Sequence, residues 1–166
     1  MIRHATNNDL PEIDNIYNQA IELGFHTAHT SPLSEEERLN WFNKYSPDDY
    51  PLFVFEKEAQ VVGWLSVSPY RSSREALSET VEISFYVDFD FHGNGIGTKL
   101  VQHCLNEASK INKRVFLAII IEGNEASINL LKKFGFEQWG FLPEVINFRN
   151  QMRGQVYMGK VFSMSE

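Results

Sequence analysis

The chain holds one cysteine in 166 residues, Cys104, so it cannot close an internal disulfide. A lone thiol on an apolar helical stripe fits a reducing compartment and makes a poor covalent relay. Positive charge is also short: 15 lysines and arginines face 22 aspartates and glutamates, a formal charge of −7. Such a field disfavours nucleic acid as a partner. Any anionic ligand must therefore be held by local amides and dipoles. No apolar run approaches the roughly 20 residues of a membrane helix, so no membrane partner is expected. The opening Met1-Ile2-Arg3-His4 lacks a secretory apolar core, which points to the cytoplasm. The histidines show no ligand spacing with Cys104 or with acidic residues, so no metal site is expected. Neither the G-x-S-x-G elbow nor the zinc-deaminase pattern occurs.

What remains is an ordinary globular composition, 43% hydrophobic and 22% charged. The length suits one domain, 1–166, with a sizeable core. Ile2 to Ala5 is a short candidate strand. Leu10, Ile13, Ile16, Tyr17, Ala20 and Ile21 form a helical stripe, with Asn7 to Asp9 as caps, Pro11 in the first turn and Gly24 as the stop. Phe25 to Leu33 is irregular. Ser34 to Glu37 is a capping box ahead of Leu39, Trp41 and Phe42. Leu52 to Glu56 and Val61 to Tyr70 predict a hairpin around Lys57 to Gln60. Val115 to Ile121 is continuously apolar, as for a strand covered on both faces. Asn124 caps a last helix stopped by Gly135, and Phe136 to Val145 and Gln155 to Phe162 supply two final strands.

The informative stretch runs from Thr80 to Lys110. Val81, Ile83, Phe85 and Val87 alternate with Glu82, Ser84 and Tyr86, which predicts a half-buried strand. Ile96, Leu100, Val101, Cys104, Leu105 and Ala108 follow at helical spacing. Gly93, Gly95 and Gly97 stand between, at the helix N-terminus, where bare backbone and dipole both suit an anion. A glycine-rich turn that merely eases a strand into a helix has the same composition. The spacing is G-x-G-x-G, not the G-x-G-x-x-G of a dinucleotide unit, although Glu122 ends the next strand. No Gly-Lys-Ser/Thr follows for a P-loop.

His92-Gly93-Asn94-Gly95-Ile96-Gly97 resembles the acyl-CoA-binding motif Q/R-x-x-G-x-G/A of the GNAT superfamily of N-acetyltransferases, with His92 where Gln or Arg is usual. The element order β-α-α-β-β-β-α-β-α-β-β is also that family's. The resemblance implies an α/β protein of α+β type: one mixed, mostly antiparallel central sheet of about seven strands, flanked by about four helices. It implies acetyl-CoA as co-substrate, held by His92, Gly93, Asn94, Gly95, Ile96, Gly97 and Thr98 at the pyrophosphate. Phe85, Tyr86 and Val87 would form the strand edge beside it, and the Asn124 side chain would reach the pantetheine arm. Relatives are commonly dimers, so a homodimer is implied too.

Ser68 to Leu77, followed by Thr80-Val81-Glu82, looks like the phosphinothricin and methionine sulfoximine N-acetyltransferase branch, as does Leu142-Pro143-Glu144-Val145. Ile146 to Gln155 departs from it. On this resemblance Glu82 is the general base, and Tyr70, Arg71, Arg74 and Glu82 surround a small-molecule amine. An α-amino group of pKa near 8 is only roughly a tenth neutral at pH 7, so a base helps. A loop arginine can grip a carboxylate with two bonds. Leu131 stands where many relatives carry a general-acid tyrosine, which leaves Tyr86 or water. Three outcomes stay open: acetylation of an amino-acid-like molecule, acetylation of a protein amine in an open acidic groove, or an idle acyl-CoA sensor.

Overall fold

The computed structural model describes residues 1–162. Strand β1 (Ile2–His4) leads through a short 3-10 turn into helix α1 (Leu10–Leu23) and then α2 (Glu35–Phe42). Strands β2 (Leu52–Lys57), β3 (Gln60–Pro69) and β4 (Thr80–Val87) follow, then helix α3 (Ile96–Asn106). Strand β5 (Val115–Ile121), helix α4 (Glu125–Lys133) and strands β6 (Glu137–Phe148) and β7 (Gln151–Val161) complete the order. The strands form one sheet in the order β1-β2-β3-β4-β5-β7-β6. Among the described residues only β4 and β5 pair in parallel.

The sheet is covered on both faces. On one, α3 and α4 pack Leu100, Val101, Cys104 and Leu131 against Phe53, Leu65, Val67, Ile83 and Phe116. On the other, α1 packs Ile13, Ile16 and Ile21 against Val54 and Trp64. Burial of one such side chain contributes about 1.5–3 kcal/mol, so these two layers carry the fold. Helix α2 begins at the expected box: Ser34 Oγ accepts from the Glu37 amide at 3.3 Å, and the Ser34 amide donates to the Glu37 carboxylate at 2.8 Å.

Three expectations need correction. The last strands are longer than the apolar pattern predicts, because the hairpin turns on Arg149 and Asn150, whose φ angles are +50° and +66°. Paired positive angles make the tight turn that matches strand twist. An Arg-Asn pair lacks the glycine that advertises it. Nor is Val115 to Ile121 covered throughout: Phe116, Leu117 and Ala118 are buried, whereas Ile119 and Ile120 line a cavity. Helix α3 also stops two residues before Ala108, which is buried all the same.

Candidate active site

Strands β4 and β5 pair only at Thr80–Val115, Val81–Phe116 and Glu82–Leu117, and then splay apart. β4 stays bonded to β3 as far as Val87, and β5 to β7 as far as Ile121. The far halves of both strands therefore expose backbone groups on facing edges, and such groups need partners. A cavity of about 660 Å³ fills the gap, walled by Ser84 to Val87 on one side and Ile119 to Ile121 on the other. Gly93, Gly95 to Thr98, Asn124 and Leu130 close its far end.

That end is main chain. Gly93 and Gly95 take φ of +79° and +71°, and a Cβ on either would meet no protein atom within 4 Å. Gly95 caps α3 in the left-handed region, and the first helical bond is from the Lys99 amide to the Gly95 carbonyl. Among the described residues, nothing accepts from the amides of Gly93 to Thr98. Free amides at a helix N-terminus suit a pyrophosphate, and the splayed strand edge suits an extended amide-bearing chain. Acetyl-CoA has both parts, so these residues fit it. Asn124 caps α4 by accepting from the Ser127 amide at 3.2 Å, while its Nδ2 lies 3.5 Å from His26 Nδ1. The His92 ring nitrogen sits 2.9 Å from the Val87 carbonyl, which fixes the start of the loop.

On the other face of β4, Glu82, Ser84 and Tyr86 point under α1 and α2. Burial pushes the Glu82 carboxyl above its ordinary value, and no other cause opposes the shift. Burial likewise holds the Tyr86 phenol well above its usual range, beside the hydroxyls of Tyr17 and Thr27. A second cavity, of about 150 Å³, opens here between Trp41, Tyr45, Trp64, Arg38 and His29. Ser84 and Tyr86 line both cavities, so the two meet at this point of β4; Glu82, two residues before Ser84 on the same strand face, lines neither.

The family model for the acetyltransferase (GNAT) family matches residues 11–136. The chain belongs to that family. It is an N-acetyltransferase that uses acetyl-CoA. It is 36% identical over 145 residues to the L-methionine sulfoximine/L-methionine sulfone acetyltransferase of Pseudomonas aeruginosa, covering 87% of this chain and 84% of that one. Among solved structures, a ribosomal-protein-alanine N-acetyltransferase from Brucella melitensis superposes with a TM-score of 0.92 at 35% identity, over 98% of this chain and 99% of that one. A phosphinothricin acetyltransferase from Sinorhizobium meliloti, in complex with acetyl-CoA, gives 0.91 at 26%, over 98% and 88%.

Within the GNAT frame, the residues singled out from sequence fall in separate places. Phe85 to Val87, His92, Gly93, Gly95 to Thr98 and Asn124 line the large cleft, and Asn94 sits in the same loop. Tyr70 and Arg71 lie beyond both cavities, with the Arg71 guanidinium exposed and 5.5 Å from the Tyr70 ring centroid. Arg74 is exposed at the start of the 3-10 turn Glu75–Leu77. Leu131 is fully buried in the core.

Sequence reasoning missed the walls of the small cavity. Tyr17 comes from α1, His29 from the irregular loop, Arg38 and Trp41 from α2, and Tyr45 from beyond it. Tyr17 looks like one more core position of a helical stripe, and Arg38 like a solvated helix charge. Arg38 is in fact only 4% exposed, stacked between the rings of Tyr17 and Trp41. No pattern in the sequence of α2 signals that burial.

Proposed function

We propose that this enzyme acetylates the primary amine of a small amino-acid-like molecule, of the methionine sulfoximine or phosphinothricin type, by direct transfer. The observation that carries this reading is the meeting of the cleft and the small cavity at Ser84 and Tyr86, on the strand face that also carries the half-buried Glu82. A cavity of about 150 Å³ suits one small side chain, and not a folded protein segment. The relatives' names support the same substrate class.

In this reading the bound thioester supplies the acetyl group. Glu82 takes the proton of the attacking amine, directly or through a water, so that the amine's lone pair can form the new bond. Its raised pKa suits that task, because a base close to the operating pH transfers protons most effectively. Tyr86 keeps its own proton, since a phenol held so high is a weak acid, and acts as a hydrogen-bond donor in the shared wall. The thiolate, of pKa about 8.5, leaves without a dedicated acid. The amides of Gly93 to Thr98 hold the pyrophosphate in the loop that His92 opens, the Phe85 to Val87 edge and Asn124 hold the pantetheine arm, and Tyr70, Arg71 and Arg74 flank the amine's entrance. Cys104 is fully buried and takes no part.

The whole chain, 1–166, acts as one N-acetyltransferase domain in the cytoplasm. A homodimer would cover the exposed apolar side chains Trp139, Phe141, Val145 and Met152 of the β6–β7 hairpin. The Brucella structure's name keeps a second reading in view, acetylation of a protein α-amine. Thiol release from acetyl-CoA, measured with methionine sulfoximine, phosphinothricin, methionine and an alanine-terminated peptide, tests both. Turnover of the free amino acids supports the proposal, and turnover of the peptide alone replaces it with the second reading.

A further inference from the structure

A set of hydroxyls joins the wall of the small cavity to the surface. The Tyr17 hydroxyl, from α1, lies 2.6 Å from Thr27 Oγ1 and 2.5 Å from His29 Nδ1. The His29 amide donates to Thr27 Oγ1 at 3.3 Å. Tyr17 has a single hydrogen for its two close partners. The order that satisfies them all sends the Thr27 hydrogen to the Tyr17 oxygen and the Tyr17 hydrogen to His29 Nδ1. On the inner side, the rings of Tyr17 and Tyr86 meet edge to face with centroids 5.1 Å apart, and the Tyr86 hydroxyl stands beside those of Tyr17 and Thr27. Tyr17, Tyr86 and His29 all line the small cavity, and Tyr86 reaches the cleft as well. Tyr17 is only 8% exposed, whereas His29 is exposed. The set therefore runs from the junction of the two cavities to solvent.

A substrate amine arrives mostly as an ammonium. It sheds two protons as its nitrogen bonds to the acetyl carbon and the carbon–sulfur bond breaks. Glu82 takes the first. We propose that Tyr86, Tyr17 and His29 carry the second proton out of the site, with His29 as the terminal acceptor. The inference rests on the reading of the substrate as a small amine held in this cavity. The proton of the acylated nitrogen passes to the Tyr86 oxygen, the Tyr86 hydrogen to Tyr17 and the Tyr17 hydrogen to His29 Nδ1. Each phenol thus holds one proton before and after. The imidazolium and Glu82 each return a proton to water, and the departing thiolate takes one up, so one proton is released per turnover. Burial makes a standing phenolate costly at either tyrosine, which favours a concerted shift along the chain. Glu37, on α2, faces His29, and its negative charge favours the imidazolium at the outer end. The Arg38 cation in the cavity wall disfavours a proton retained inside.

The test is kcat and KM for L-methionine sulfoximine at saturating acetyl-CoA. His29→Gln keeps an oxygen that accepts from the Tyr17 hydroxyl and removes the base. Its kcat should fall about 10²-fold, with KM for the amine unchanged. The Tm and the thermal shift given by acetyl-CoA should match the wild type, which separates a lost relay from a lost fold. Tyr17→Phe interrupts the chain one step further in and should cost a similar factor in kcat. The double variant should be no slower than the slower single one, because both changes remove the same path. Full kcat in His29→Gln overturns the relay and reduces the contact to a structural hydrogen bond. So does a loss confined to KM, or losses that multiply in the double variant. Each of these leaves amino-acid acetylation standing. Absence of thiol release by the wild type with every amino acid tested removes the underlying reading as well.

Discussion

The two cavities that meet at Ser84 and Tyr86 are built from different materials. The larger is mostly backbone: the splayed edges of β4 and β5 and the bare amides between Gly93 and Thr98. The smaller is mostly side chain: aromatic rings from α1, α2, β3 and β4 around one arginine. A backbone site recognises what every acyl-CoA shares, a pyrophosphate and an extended amide arm. A side-chain site recognises what distinguishes one amine from another. Donor and acceptor specificity are thereby separable, and substitutions should divide along the same line.

The largest effect is expected at the junction, where neither cavity alone is touched. Glu82→Gln should lower kcat by about 10²-fold or more and leave acetyl-CoA affinity unchanged. The loss should shrink at high pH, where the amine deprotonates unaided. The same substitution should stabilise the fold. Because burial raises the Glu82 pKa above its ordinary value of 4.5, the native state holds more protons than the unfolded one between those two values. Stability therefore falls as pH rises through that window, and the full penalty persists above the native pKa. The variant should melt above the wild type at pH 7, and the gain should vanish below the ordinary carboxyl value. A pH-independent rate loss with no gain in Tm would make Glu82 a structural residue.

The second effect is confined to the backbone site. At 100 times its dissociation constant, acetyl-CoA should add about 2.7 kcal/mol to the wild type. Gly95→Asp places a negative Cβ substituent in the open space of the cradle, at a φ of +71° that glycine tolerates best. Most of the ligand-induced shift should disappear, measured by thermal melting with and without acetyl-CoA. Retention of the full shift would show that the cofactor is anchored elsewhere.

The smallest effect is confined to the side-chain site. Ser34→Ala removes the cap of α2, the helix that carries Arg38 and Trp41, at a cost of about 1 kcal/mol. KM for the amine should rise severalfold, while the acetyl-CoA shift is untouched. A parallel weakening of cofactor binding would mean that the two cavities are coupled and not separable.

Much of this was legible in the chain itself. Alternation over Thr80 to Val87, the glycines at 93, 95 and 97 and the helical stripe after them determine a strand, an open turn and a helix through local periodicity and steric freedom. These suffice for the backbone site, because its chemistry is that of N–H groups which every residue but proline carries. The capping box at Ser34 and the Asn124 cap are local for the same reason.

What the chain could not disclose was distance. Nothing in the pattern of α2 says that Arg38 turns inward, since the observation that matters is its position between Tyr17 and Trp41 beneath the sheet. Likewise, Val115 to Ile121 is uniformly apolar, and only the splay of β4 from β5 turns its second half into a cavity wall. The local pattern determined the elements, the glycine turn with its bare amides and the place of Glu82 on its strand. Tertiary packing alone decided which arginine is buried, where the two cavities join and how large the amine's share of the site is, because those depend on contacts between residues far apart in sequence.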